Sequence, residues 1–76
     1  MADEISTLMT SCQGKTVLLR LRNTKTVQGI LIDFDIHMNL TLNNAEDITE
    51  EKHLSLGKVL LRGDNILAIS LPNDKS

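Results

Sequence analysis

Aromatic residues and cysteines are almost absent from this 76-residue chain. It contains one phenylalanine, Phe34, neither tryptophan nor tyrosine, and a single cysteine, Cys12. The core must therefore be built from Leu, Ile and Val side chains, and an internal disulfide is excluded. Because no secretory or long apolar stretch is present either, we expect a reducing compartment, cytoplasmic or nuclear, and predict the cytoplasm.

Metal ligands and a strong net charge are also missing. One cysteine and two separated histidines, His37 and His53, cannot supply a four-ligand cage, so we expect neither a metal nor another cofactor. The formal net charge is −2, which counts against a protein that neutralises duplex phosphates with a broad basic face. Any contact with nucleic acid must therefore come from a local group of residues.

The length of the chain and the pattern at its start predict one domain that begins with a helix. Residues 1–76 leave no room for a second core, and a chain this short buries only about 60% of its unfolded surface. The pattern predicts an amphipathic helix over residues 3–12. The apolar residues at helical spacing there are Ile5, Leu8, Met9 and Cys12.

Alternating apolar and polar residues predict strands over most of the remaining chain. The predicted strands cover residues 16–22, 26–34, 38–43, 58–61 and 66–71, with a charged connection over 46–52. Gly29 lies inside the second strand, where a glycine often marks a sharp bend or a close backbone approach. A helix followed by five short strands, one of them bent, is typical of a small, strongly curved antiparallel barrel.

The last two predicted strands are too apolar to serve as solvent-exposed edge strands. Their apolar residues include Val59, Leu60, Leu61, Leu67 and Ile69. An exposed apolar edge of this kind invites aggregation. We therefore predict that another copy of the chain pairs with these strands, in a head-to-tail contact that either closes into a ring or continues as a filament.

Two blocks of the sequence resemble the Sm-like (LSm) family. Residues 14–48, with VQGILIDFDIHMNLTLNNAEDI at their centre, resemble the first Sm motif, and residues 56–72, LGKVLLRGDNILAISLP, resemble the second. The resemblance implies a mainly β fold, a bent five-stranded barrel behind an N-terminal helix, with ring assembly and RNA binding near a central pore. The chain departs from the usual pattern at Thr24, commonly glycine, and at Ile36, which is unusually apolar.

Four residues of these motifs are expected to contact RNA: His37, Asn39, Arg62 and Asp64. The flat imidazole of His37 and the guanidinium of Arg62 can sandwich one base if their loops meet. Asn39 offers a donor and an acceptor together, which suits the edge of uracil. The matching residues do this in the resembling family. Asp64 either supports its loop or hydrogen-bonds a base edge, and both alternatives stay open.

Asp35 and Gly63 are expected to shape the two loops instead of contacting RNA. A carboxylate repels phosphate but accepts backbone N–H groups, and a glycine permits close backbone approach. Basic residues elsewhere are interpreted as solvating the outer face, with an auxiliary RNA-binding patch as the alternative. These basic residues are Lys15, Arg20, Arg22 and Lys25.

The resemblance implies a non-catalytic ring that binds uridine-rich single-stranded RNA, in RNA processing or as an RNA chaperone. Short chains of this kind resemble archaeal Sm-like proteins, which build homomeric rings, usually of seven copies; six is the alternative. Two other functions compete: a ring whose pore serves proteins, and an enzyme that uses His37 with Asp35 or Asp64. No nucleophile or metal set accompanies those residues, so we expect no catalysis and no small-molecule substrate. Because the sequence contains no long apolar stretch, we also expect no membrane contact.

Overall fold

The computed structural model describes residues 4–71, which form a helix and a bent antiparallel sheet. The elements are α1 (Glu4–Ser11), β1 (Thr16–Leu21), β2 (Thr26–Phe34), β3 (Leu40–Asp47), β4 (Leu54–Leu61) and β5 (Ile66–Ser70), with a 3-10 turn at Gly63–Asn65. The strand order is β4-β3-β2-β1-β5, and every neighbouring pair is antiparallel. The predicted fold class, a helix followed by five strands in a bent antiparallel sheet, is confirmed.

The hairpin between β3 and β4 is longer than the sequence predicts. The charged run 46–52 is expected to be a connection, but Glu46 and Asp47 continue β3 and pair with Ser55 and Leu54. That part of the prediction is wrong. The backbone ladder with the neighbouring strands stabilises these residues in an extended conformation although their own β propensity is low.

The helix buries a narrower face than its apolar pattern predicts. α1 ends at Ser11, and the predicted start at residue 3 lies outside the described residues, as does the side chain of Ile5. Met9 and Cys12 are buried in the core, whereas Leu8 is 52% exposed in this chain. Among the described side chains of this segment, those buried against the barrel are therefore at and just after the last turn of the helix.

The sheet bends near Gly29, where the register between β2 and β3 shifts between Gln28 and Ile30. A Cβ atom placed on Gly29 would lie 3.1 Å from the Cα atom of Ala45, so the predicted close backbone approach is confirmed. Asn44 on the facing strand has a φ of 50°, as in a bulge that increases twist. The bend wraps the sheet around one aliphatic core. The most deeply buried side chains are Val17, Leu19, Leu31, Leu40 and Leu42.

The edge strands β4 and β5 carry the residues that the sequence predicts as a ring interface. In residues 4–71 neither strand has a hydrogen-bonded neighbour on its outer side. Leu60 and Leu67 are 70% and 61% exposed, while Val59, Leu61 and Ile69 are half-buried. The sheet is therefore open in the single chain, and its apolar edges are available to another copy.

The turn between β1 and β2 holds Thr24 in the left-handed region, at a φ of 68°. A β-branched residue is strained there, whereas glycine is not. We expect Thr24→Gly to raise the free energy of unfolding by about 1 kcal/mol, measured by urea denaturation. Thr24→Ala keeps a Cβ atom in the left-handed region, so its free energy of unfolding should rise by less. A glycine variant no more stable than the unmodified protein would contradict this account.

Candidate nucleic-acid interface

The carboxylate of Asp35 organises the loop between β2 and β3. Its Oδ1 atom accepts the backbone N–H groups of His37 and Asn39, each at 2.9 Å, and its Oδ2 atom accepts Nδ2 of Asn39 at 3.0 Å. Met38 lies in this loop with a φ of 62°, not in the strand as the alternating pattern predicts. The N–H donors, first the backbone N–H of Asn39, hold the pKa of Asp35 below its ordinary value.

The side chain of Asn39 joins this loop to the one that follows β4. Its Oδ1 atom accepts the backbone N–H of Gly63 at 2.8 Å, while its Nδ2 atom donates to Asp35. These partners determine which way the amide faces, because an ionised carboxylate only accepts and a backbone N–H only donates. One N–H of Nδ2 and one lone pair of Oδ1 remain for another molecule.

Gly63 allows the two loops to touch. A Cβ atom placed on it would lie 2.0 Å from the carbonyl oxygen of His37 and 3.0 Å from the carbonyl carbon of Met38. Its φ is outside the left-handed region, so the position requires glycine for space and not for conformational freedom. No side chain can be added without moving one loop away from the other.

Arg62 and Asp64 flank Gly63 with exposed side chains. The Nη2 atom of Arg62 lies 3.7 Å from Oδ2 of Asp64, and the two side chains are 80% and 75% exposed. An ion pair this exposed contributes little to stability. The guanidinium therefore remains able to rotate onto a flat ligand.

The second loop is also attached to the end of β1. The Nε atom of Arg22 donates to the carbonyl oxygen of Asp64 at 2.8 Å, and the backbone N–H of Arg22 donates to the carbonyl oxygen of Asn65 at 2.9 Å. Sequence analysis assigns Arg22 to the outer face and misses this contact. The signal that could have revealed it is the pairing of β1 with β5, which brings the residue after β1 to the turn before β5.

One open cleft of about 930 Å³ contains all six residues predicted as RNA contacts or loop supports. Two apolar residues complete its lining, Met38 and Leu60. The sequence predicts Leu60 only as an interface residue, so its place in the cleft is new. The full lining comprises Asp35, His37, Met38, Asn39, Leu60, Arg62, Gly63 and Asp64. The cleft thus combines two flat cationic or ionisable side chains, an oriented amide and an apolar wall.

The described residues offer no alternative chemistry in the form of a metal cluster. Among residues 4–71, no three His, Cys, Asp or Glu side chains lie close enough together to hold a metal ion. In the same range, α1 is too short to cross a membrane, and no other helix there is long and apolar enough to do so.

The cleft residues fall within a stretch that matches a known domain. The sequence pattern of the LSM domain matches residues 7–71. The chain belongs to the LSM family. A relative from Methanosarcina barkeri, named as an snRNP Sm-like protein, is 37% identical over 71 residues, which are 92% of this chain and 99% of the relative. The resemblance to Sm-like proteins of the archaeal type is confirmed.

Solved structures of LSM proteins share the fold described above. The SmAP1 heptamer of P. aerophilum superposes with a TM-score of 0.89 at 34% identity, covering 96% of this chain and 99% of that one. The Sm protein of Pyrococcus abyssii in complex with a uridine heptamer gives a TM-score of 0.81 at 35% identity, covering 93% and 100%.

A second acidic residue of this LSM domain, Asp47, also has a lowered pKa, at the opposite end of β3. Its Oδ1 atom accepts the hydroxyl of Thr49 at 2.6 Å and the backbone N–H of Thr49 at 3.0 Å, and Lys25 Nζ lies 3.6 Å from its Oδ2 atom. The hydroxyl of Thr49 is the largest cause of the lowered pKa.

Because the folded-state pKa of Asp47 lies below the ordinary 3.8, its ionised form stabilises the fold above that pH. The stabilisation is lost as the pH falls below 3.8 through the folded-state pKa. We expect Asp47→Asn to lower the free energy of unfolding at pH 7 and to flatten its decline below about pH 4. Urea denaturation between pH 7 and pH 3 measures both effects. Glu50→Gln, a change at an exposed acid, is the control; an equal flattening there would contradict the assignment.

Proposed function

We propose that this LSM protein forms a closed homomeric ring, of seven copies, that binds uridine-rich single-stranded RNA in the cleft and catalyses no reaction. The observation that carries the proposal is the junction of Asp35, Asn39 and Gly63, which orients an amide in the cleft that His37 and Arg62 also line. Relatives of the same fold support it: one is described as a heptamer and another as a complex with a uridine heptamer.

The orientation of the Asn39 amide favours uracil over cytosine. The remaining N–H of Nδ2 can donate to O4 of uracil, and the remaining lone pair of Oδ1 can accept the N3–H group. Cytosine presents the reverse pattern, a donor at N4 and an acceptor at N3. Reversing the amide would place Oδ1 against the Asp35 carboxylate and Nδ2 against the N–H of Gly63. A buried or constrained polar group without its partner costs about 1–3 kcal/mol.

Stacking supplies the base-tolerant part of the affinity. His37 and Arg62 present flat groups, and a stacked base contributes about 1–3 kcal/mol, so one site alone binds weakly. In a ring the site recurs in every copy, and each bound nucleotide raises the effective concentration of the next. With a net charge of −2, we expect neutralisation of phosphates to be secondary.

Assembly of the ring would use the two apolar edge strands. Pairing of β4 in one copy with β5 in the next would cover Leu60 and Leu67 and satisfy both backbone edges. Such a head-to-tail contact uses two different surfaces and closes when the rotation per copy divides a full turn. The heptameric relative supports seven copies over six.

The base preference can be tested with uridine, cytidine and adenosine oligomers of increasing length, by fluorescence anisotropy. We expect the affinity for uridine to rise steeply with length and to level off once the strand has circled the ring. Asn39→Ala should weaken uridine binding about tenfold or more, and the other homopolymers much less. Asn43→Ala, an exposed asparagine outside the cleft, is the matched control. Equal losses on all homopolymers would contradict base reading by Asn39.

The same incubations separate the competing functions. Intact RNA in a stable complex supports the proposal, cleaved RNA would support an enzyme, and the absence of binding to any homopolymer would support a ring that serves proteins. RNA processing or an RNA-chaperone role, in the cytoplasm, is the cellular setting that we propose. The RNA role is supported by the chemistry of the cleft and by the naming of the relatives as snRNP Sm-like proteins.

A further inference from the structure

Arg22 does not line the cleft, but it contacts the loop that carries Arg62, Gly63 and Asp64. It follows β1, and its guanidinium Nε atom donates to the carbonyl oxygen of Asp64, 42 residues away in the sequence. Its backbone N–H donates to the carbonyl oxygen of Asn65. These two hydrogen bonds connect the end of β1 to the 3-10 turn that carries Gly63.

The turn connects Asp64 to the side-chain amide of Asn39. Internal hydrogen bonds stiffen it: the N–H of Asn65 donates to the carbonyl oxygen of Arg62 at 3.0 Å, and the N–H of Ile66 donates to that of Gly63. A displacement of the Asp64 carbonyl group is therefore expected to displace the turn as a unit. The same turn presents the Gly63 N–H that binds Asn39.

We propose that Arg22 is a positioning residue for the RNA site. It holds the turn at Gly63–Asn65 in the orientation that lets the Gly63 N–H bind Oδ1 of Asn39, and thereby maintains the preference for uracil over cytosine. This role rests on the proposed function, in which Asn39 reads the base edge.

The two arginines at this loop have different surroundings, which suit different roles. Arg62 pairs only loosely with Asp64 and is 80% exposed, which suits a stacking group. Arg22 instead directs a single N–H at a neutral carbonyl oxygen at a short distance. A solvated cation needs no such directional contact, and a lysine ammonium does not reproduce the planar geometry of a guanidinium.

The test compares Arg22→Lys and Arg22→Met with the same two changes at Arg20, which is exposed on β1 and does not line the cleft. Dissociation constants are measured for uridine and cytidine decamers at two salt concentrations, after light scattering has established that each variant assembles as the unmodified protein does. Both Arg22 variants should lower the uridine-to-cytidine preference about tenfold, while the Arg20 variants leave it unchanged. The salt dependence of Arg22→Lys should equal that of the unmodified protein.

Hydrogen exchange without RNA provides a second readout that does not depend on the function. In Arg22→Lys, mass spectrometry should show faster exchange in a peptide that spans the Gly63–Asn65 turn, with the remaining β-sheet unchanged. Unchanged exchange at the turn would overturn the positioning role even if RNA binding were weakened.

The outcomes for RNA separate this inference from the proposed function. An unmodified protein without any uridine preference would overturn the proposed function and the inference with it. A uridine preference that survives both Arg22 changes overturns the inference alone. A third outcome is that Arg22→Lys binds RNA as the unmodified protein does, while Arg22→Met binds all homopolymers equally less tightly and with a lower salt dependence. This result would identify Arg22 as a phosphate-binding cation and would also overturn the inference.

Discussion

Replacing Gly63 with alanine is expected to abolish tight uridine binding. The added Cβ atom would lie 2.0 Å from the carbonyl oxygen of His37, and the obstacle is backbone, so the two loops must separate. A shift of about 1 Å breaks the hydrogen bond between the Gly63 N–H and Asn39, because such bonds weaken steeply beyond about 3.2 Å. The oriented amide and the cleft that brings His37 and Arg62 together are then lost at once.

We expect the affinity of Gly63→Ala for a uridine decamer to fall by about a hundredfold or more, since every copy in a ring loses both stacking and edge contacts. The fold should be destabilised by only about 1–3 kcal/mol, as for other overpacked sites. Anisotropy and urea denaturation measure the two effects.

Gly14→Ala is the matched control for Gly63→Ala. Its φ is 84°, so alanine is strained there, but nothing lies within 4 Å of the added Cβ atom and the residue is outside the cleft. It should lower stability and leave RNA binding unchanged. Tight uridine binding by Gly63→Ala would mean that RNA does not use the junction, and the proposed site would have to be abandoned.

Six of the eight residues that line the cleft could be identified from the sequence, but not the connections between them. His37, Asn39 and Arg62 are recognisable as flat or bidentate groups in two motifs, and Gly63 as a position of close approach. The hydrogen bond from Gly63 to Asn39 spans 24 residues and forms only when two separate hairpins meet. Local patterns contain no information about such a contact, so the fixed orientation of the amide required the structure.

Two features that the sequence does not reveal have a common physical cause. Asp47 has a low β propensity, yet it lies in a ladder between β2 and β4. Arg22 reads as a surface cation, yet pairing of the first and last strands brings it to the site loop. In both cases long-range strand pairing decides the outcome. By contrast, the sequence predicts the close approach at Gly29, because glycine inside an apolar strand is itself a local signal.

Changing Leu67 to lysine is expected to dissociate the ring. Leu67 is 61% exposed on the outer edge of β5 in the single chain, so the change should scarcely disturb the core of that chain. In a β4–β5 seam, however, the ammonium would be held against apolar side chains without a partner, which costs several kcal/mol per interface. Light scattering should show a particle near 8.4 kDa in place of about 59 kDa for seven copies.

Dissociation should also remove the benefit of oligomer length, because a single site cannot raise the effective concentration of the next nucleotide. Leu67→Lys should therefore bind short and long uridine oligomers with similarly weak affinity, while circular dichroism still reports a folded sheet. Ile32→Lys is the control, since Ile32 is 42% exposed on β2, which is not an edge strand, and does not line the cleft. If Leu67→Lys kept the size of the unmodified particle, or if the unmodified protein were a monomer at micromolar concentration, assembly through these edges would be ruled out.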